Sequence, residues 1–177
     1  MISKRLTCIP FSSAHYEVFI SWITDPYFLM QFAGPRLTYP VDRAQLDRFY
    51  DDPNRFPFHV LDRTSGQGIG HGEVLCKEES ILIGQVMLAE EKNRGHGLGK
   101  ELIRLLVDES FTRWDKPVVE LHVYDWNLAA IRCYEQIGFK RNTGAQNIVD
   151  IGDQQWTAIH MQLARADYQP DRRPVTL

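Results

Sequence analysis

The chain has 177 residues, 44% of them hydrophobic and 11% aromatic, with a formal net charge of -3. That is apolar material for one globular domain burying roughly 70% of its unfolded surface, and the interspersed, mildly acidic charge excludes broad binding to nucleic acid or to an anionic membrane. Cys8, Cys76 and Cys133 are too few and too scattered for a disulfide framework or a paired zinc site, "MISKRLTCIPF" carries no signal-peptide run, and no apolar stretch reaches bilayer length, so a cytoplasmic protein is expected.

In chain order, "SSAHYEVFISWITDP" places Phe19, Ile20 and Ile23 at helical spacing, with serine as N-cap and Asp25-Pro26 as a stop. A second helix is expected in "YPVDRAQLDRFYDDPN", with Leu46 and Phe49 inward and a turn at Asp52-Pro53-Asn54. "FPFHVLDRTSGQGIGHGEVL" gives two strands joined at Ser65-Gly66. "SILIGQVML" gives a third, apolar on both faces and therefore interior to a sheet. From Gly97 the period changes: Leu98, Leu102, Leu105 and Leu106, flanked by Ile103 and Val107, form the stripe of a core-facing helix to about Trp114. "KPVVELHVYDWN" is the next strand, "LAAIRCYEQIGF" a helix closed by Gly138, and "FKRNTGAQNIVDIGDQQWTAIHMQL" a hairpin turning near Gly152-Asp153. This order predicts an α/β sandwich around a mixed, partly antiparallel sheet. The domain is expected to span 1–165, with a polar, loose tail over 166–177.

The stretch "NRGHGLGKELI" puts Gly95, Gly97 and Gly99 at the mouth of that long helix. A strand, a glycine-rich turn and a helix start converge several backbone N–H groups where the helix dipole is positive, which suits an anion. Any Cβ there would hold a phosphate away. Lys100 and Arg104 oppose the dipole in the first turns, a conflict that a bound pyrophosphate resolves. The same glycines also suit a tight turn that merely packs. A Walker loop is excluded by Glu101 after Lys100, and a dinucleotide fingerprint by the strict alternation of the glycines.

"RGHGLG", Arg94 to Gly99, does fit [QR]-x-x-G-x-[GA], and "LHVYDWNLAAIRCYEQIGF" adds Asn127, Tyr134 and Gly138-Phe139. With these the chain resembles the GNAT superfamily of acetyl-CoA-dependent N-acetyltransferases over residues 60 to 163. "RLT" and "WITDP" are similar to the branch acting on ribosomal proteins and other small amines. The resemblance implies a three-layer sandwich with a central mixed, mostly antiparallel sheet. It also implies acetyl-CoA as co-substrate, with Val86, Met87 and Leu88 along the pantetheine arm and Arg94, Gly95, His96, Gly97, Leu98, Gly99 and Lys100 around the pyrophosphate. Asn127 would hold the arm near the thioester, and Tyr134 would protonate the departing thiolate. Their plainer roles are a helix N-cap for Asn127 and a core aromatic for Tyr134.

Strand parity singles out a base. In "VVELHVY", Val119, Leu121 and Val123 share one face, while Glu120, His122 and Tyr124 share the other. A polar face on a strand between two layers suggests a lined cleft. His122 is the candidate base, since histidine titrates near neutrality and a protonated amine cannot attack. It is equally a hydrogen-bonded core or surface histidine, and Glu120, Glu73 or a relayed water are the alternatives. A backbone N–H at Met87 or Leu88 would stabilise the oxyanion. His15, His59, His71 and His160 show no ligand spacing with acids or cysteines, so no metal is expected.

The expected function is direct acetyl transfer to a primary amine, a peptide or protein N-terminus or a small molecule, without a covalent acyl-enzyme. A non-catalytic acyl-CoA-binding regulatory domain and a nucleotide-binding module are the competing readings. Trp22, Phe28, Phe32, Tyr39 and Trp156 are candidates for walling the amine site, and a homodimer through the closing hairpin is a further expectation.

Overall fold

The structure, a computed structural model, describes residues 1–89, 93, 95–151 and 153–170, with residues 143, 145 and 146 described as backbone alone. A seven-stranded sheet runs in the order β1-β2-β3-β4-β5-β7-β6. Its strands are β1 (Leu6–Pro10), β2 (Arg55–Asp62), β3 (Gly68–Cys76), β4 (Ile81–Leu88), β5 (Val118–Tyr124), β6 (Lys140–Ile151) and β7 (Gln154–Ala164). Every neighbouring pair is antiparallel except β4 and β5, so the sheet is mixed and mostly antiparallel, as expected.

Helices cover both faces. α4 (Leu98–Arg113) and α5 (Leu128–Glu135) pack on one, where Leu102, Ile103 and Leu106 meet Ile81, Ile83 and Leu121 in the larger core. α1 (Tyr16–Ser21), α2 (Pro26–Ala33) and α3 (Arg43–Tyr50) supply a second core on the other, around Phe19, Leu29 and Leu46. β4 contributes to both cores: Met87 joins the second while Val86 and Leu88 pack on the first.

Two elements escaped the sequence reading. β1 alternates buried Leu6 and Cys8 with half-buried Thr7 and Ile9; it is short and ends in Pro10, as an edge strand can, since proline needs no ladder donor. The strand expected as the third is therefore the fourth. Asp25-Pro26 is not a stop but the start of α2: the Asp25 carboxylate accepts the Phe28 N–H at 2.8 Å, and Pro26 occupies the first turn, where its missing N–H costs nothing. The first helix is correspondingly shorter than expected, and Ile23 is buried just beyond its end.

The remaining elements agree with expectation. Asp42 caps α3 through the Gln45 N–H at 2.7 Å, and Leu46 is fully buried while Phe49 packs partly buried beside it. Asp62 accepts the Ser65 N–H and hydroxyl in the β2–β3 turn, where Gly66 takes φ +71°. In the closing hairpin, Gly152 lies outside the described residues. The tail is not loose at its start: the Tyr168 ring packs at a tilt 5.5 Å from that of Phe111, and its hydroxyl donates to Asp108 at 2.7 Å. Residues 171–177 lie outside the described set. Among the described residues, no helix is long and apolar enough to cross a membrane.

The feature that places the site is the junction of β4 and β5. They pair only at Ile81↔Val119 and Leu82↔Glu120 before parting. β4 is bent by a register shift opposite His71 and Glu73, with Gln85 at φ +48°, a conformation side chains resist.

Candidate active site

Where β4 and β5 part, a cavity of about 900 Å³ opens between them. One end is formed by Gly95, Gly97, Gly99 and Lys100, the middle by β4 from Leu82 to Leu88 against β5 from Leu121 to Tyr124, and another wall by α2 and the turn to Arg36.

The glycine end is built from main chain. Gly95 and Gly97 sit at φ +79° and +80°, and α4 starts at Leu98 with no side chain capping it. A Cβ on Gly95 would meet nothing within 4 Å, so the space beside this lining residue is open. The geometry is that of an uncapped helix N-terminus flanked by Lys100 and Arg132, and it fits the pyrophosphate of acetyl-CoA. Lys100 donates to Gln136 at 3.0 Å, tying α4 to α5. Leu98 points into the core, and His96 is exposed and does not line the cavity. Arg94 lies outside the described residues. The loop is anchored from the far end of the chain. Arg5 donates to the His96 carbonyl at 2.8 Å and pairs through two nitrogens with Glu101, which also accepts from Ser3 at 2.6 Å. Sequence motifs could not signal this strut, because its residues are some ninety positions apart.

Val86, Met87, Leu88, Asn127 and Tyr134 all line the cavity. Asn127 is the N-cap of α5, accepting the Ala130 N–H at 3.2 Å; this is its plainer role, and it is compatible with a second one from the same position. Tyr134 stands 6.0 Å from the Phe139 ring, and burial pushes its hydroxyl well above the ordinary tyrosine pKa, keeping it a proton donor at neutral pH. Cys133 also lines the cavity, and burial raises its thiol, which opposes a thiolate role.

The three candidate bases are separated by the fold. His122 lines the cavity, its ring stacked 5.0 Å from that of His160. Withdrawal from water lowers its pKa, and the neighbouring His160, Lys77 and Arg36 lower it further against an opposing pull from Glu120, so the neutral, basic form prevails at pH 7. Glu120 does not line the cavity. Its carboxylate is shared by Lys77 at 2.6 Å, Ser80 at 2.9 Å and His160 at 2.8 Å. Burial alone would raise its pKa; these partners outweigh burial and bring it down to about 2. Glu73 is fully buried, paired with Arg55, and lies behind Gly84, whose added Cβ would sit 3.5 Å from Oε1. Burial raises it to about 7, despite the nearby arginines.

Of the aromatic residues considered for the amine site, Phe28 and Phe32 line the cavity. Trp22 instead stacks on His59, Tyr39 is exposed and donates to the Thr24 carbonyl, and Trp156 packs edge-on against Tyr124 and Trp126. Arg36 and Gln85 are lining residues that no motif pointed to. No group of three or more potential metal ligands is assembled among the described residues.

A family profile for the acetyltransferase (GNAT) domain matches residues 5–140, about three quarters of the chain. The chain belongs to the GNAT acetyltransferase family. It is an acetyl-CoA-dependent enzyme that acts on amines. An N-acetyltransferase 9-like protein of Caenorhabditis briggsae is 23% identical over 153 residues, which is 80% of this chain and 77% of that protein. An aminoglycoside N(6')-acetyltransferase type 1 of Serratia marcescens is 34% identical over 87 residues, 49% of this chain and 40% of that one. In fold, the chain is similar to the spermidine N-acetyltransferase of Vibrio cholerae solved with CoA and spermine, at TM-score 0.77 and 20% identity, covering 94% of this chain and 99% of that one.

Proposed function

We propose that this GNAT enzyme transfers the acetyl group directly to a small primary amine, with His122 as base and Tyr134 as acid. One observation carries the assignment: both side chains line the same cavity into which the Gly95–Lys100 loop opens. Bound acetyl-CoA supplies the activated thioester. The chain's part is to hold and deprotonate the amine and to return a proton to sulfur. An α-amine or lysine-type amine has a pKa of about 8 or 10.4, so it arrives protonated. His122, kept neutral by its surroundings, takes that proton. Tyr134, kept protonated by burial, supplies the one needed at the sulfur. Asn127 and the end of β4 align the thioester arm, and the glycine loop with the start of α4 holds its phosphates. Glu120, locked by Lys77 and His160, fixes those two side chains near His122 instead of acting as base.

A second reading gives the base role to Glu73 acting through a water past Gly84, favoured by its pKa of about 7. The sheet edge at β6, where Ile148 is 67% exposed, is the surface through which two copies would pair; sedimentation at two concentrations decides it. The activity is tested by incubating the protein with acetyl-CoA and a panel of amines, following released CoA thiol and product mass. Bound CoA with no transfer to any amine overturns the catalytic reading. Between bases, loss of the acidic limb in His122→Ala but not in Glu73→Gln supports His122.

A further inference from the structure

Among the described residues, the cavity lining has a one-sided charge. Its described charged residues are Arg36, Lys100 and Arg132, and none is Asp or Glu. These cations separate into two groups. Lys100 and Arg132 stand on α4 and α5 at the phosphate end, and the Lys100 charge acts on Cys133. Arg36 ends the turn after α2, on the wall shared with Phe28 and Phe32, and its charge acts on His122. Arg36 is exposed and makes no ion pair or hydrogen bond among the described residues. The buried carboxylate within its field, Glu73, is taken by Arg55. Asp25, before α2, caps that helix and accepts from Thr24, and Asp150 on β6 accepts from Gln155. The polar neighbours on the lining, Gln31 and Asn147, are neutral.

A polycationic acceptor would bring several charges to a wall that carries Arg36 and, among the described residues, no lining carboxylate to neutralise them, a juxtaposition that costs affinity. A guanidinium fork without a partner among the described residues, on the same cavity lining as the base, has the opposite preference: it presents paired donors at the spacing of a carboxylate. Resting on the acetyltransferase reading above, we propose that the acceptor is a primary amine that also carries a carboxylate, whose anionic end Arg36 holds while the amine lies at His122. This differs from the polycations named for similar proteins, and it assigns Arg36 the selection of acceptor.

The test uses a ladder of ω-amino acids from glycine to ε-aminocaproate, each beside its carboxamide, with spermidine and kanamycin as polycations. Released thiol gives kcat/KM for the wild type and for Arg36→Gln. Because the carboxamide also changes the amine's own pKa, the quantity read is the acid-to-amide ratio in wild type divided by that in the variant, which cancels the effect. At the best chain length this double ratio is expected to reach about tenfold, the scale of one charge-assisted contact, with the KM for acetyl-CoA unchanged. Better turnover of spermidine or kanamycin than of every amino acid, a double ratio of one across the ladder, or a variant defect confined to acetyl-CoA each overturns the proposal. If nothing on the panel is acetylated, calorimetry of the same ladder on the CoA-loaded protein separates the two ideas. Carboxylate binding lost in Arg36→Gln keeps the anion site and removes the catalytic reading; no carboxylate binding removes the proposal itself.

Discussion

On the proposed assignment, the two ends of the cavity hold their ligands by different means. At the glycine end the backbone does the work, through positive φ at Gly95 and Gly97 and the uncapped start of α4. At the proposed amine end side chains line the wall: His122 from β5, Arg36 and Phe32 from the α2 side, and Asn147 from β6. A main-chain site demands glycine at fixed positions and so leaves a local signature. A side-chain site is assembled from segments more than a hundred residues apart, and any one of them can change while the fold persists. The difference teaches where specificity is free to vary.

The largest effect is expected from breaking the main-chain end. Gly97→Asp adds a side chain at φ +80° and a negative charge at the pyrophosphate site. CoA affinity by calorimetry should fall by about 10²-fold or more, with the circular dichroism of the apoprotein retained; undiminished affinity would show that the loop holds nothing. Next comes Tyr134→Phe, which keeps the ring packing and removes the hydroxyl. A proton-donor role predicts a drop in kcat of about 10²-fold with CoA binding unchanged, whereas a purely structural ring predicts almost none.

Smaller changes sharpen the contrast. For His122, the lowered pKa puts its protonation on the acid side of neutrality, so activity should be full at pH 7 and fall only as pH drops through that group. In His122→Ala the limb should vanish, leaving a rate about tenfold lower at pH 7 that climbs steadily as the amine deprotonates unaided. Glu120→Gln removes the one group that raises the His122 pKa, so the wild-type limb should move to lower pH. If neither profile changes, the base lies elsewhere. The mildest effect is reserved for Arg5→Ala. Loss of the strut to His96 and Glu101 should raise the KM for acetyl-CoA a few-fold and leave the discrimination among amines untouched; a change in amine preference would mean that the two ends are coupled.

Stability against acid offers a separate check on Glu120. A carboxylate held at about 2 in the folded protein, against an ordinary value of 4.5, contributes stability that is complete above pH 4.5 and disappears as pH falls toward 2. The melting temperatures of wild type and Glu120→Gln should therefore differ at pH 6 and converge as pH approaches 2.

The same asymmetry governs what was readable in the sequence. The alternation of three glycines ahead of the Leu98–Val107 stripe pointed to the loop that lines one end of the cavity, and strand parity put Glu120, His122 and Tyr124 of "VVELHVY" on one face. Parity alone did not separate Glu120 from His122, because they share a face; the structure separates them, since β4 leaves β5 just beyond Glu120 and only His122 is opened to the cavity. Asp25-Pro26 misled because the pair serves a helix start as well as a stop, and only the Phe28 N–H says which. β1 was too short to stand out. Arg36 had no local pattern at all, since its meaning lies in which wall the chain brings it to.

The parting of β4 from β5 has a further consequence. Strand margins ordinarily occur at the rim of a sheet, where they recruit foreign strands and must be blunted. Here two margins face each other inside the molecule, past Ile81↔Val119 and Leu82↔Glu120. A slender linear chain lying between them can take up backbone partners as a strand would. It also makes the occupied sheet continuous across its middle, so that loading the enzyme should slow hydrogen exchange along β5 as well as at the glycine loop.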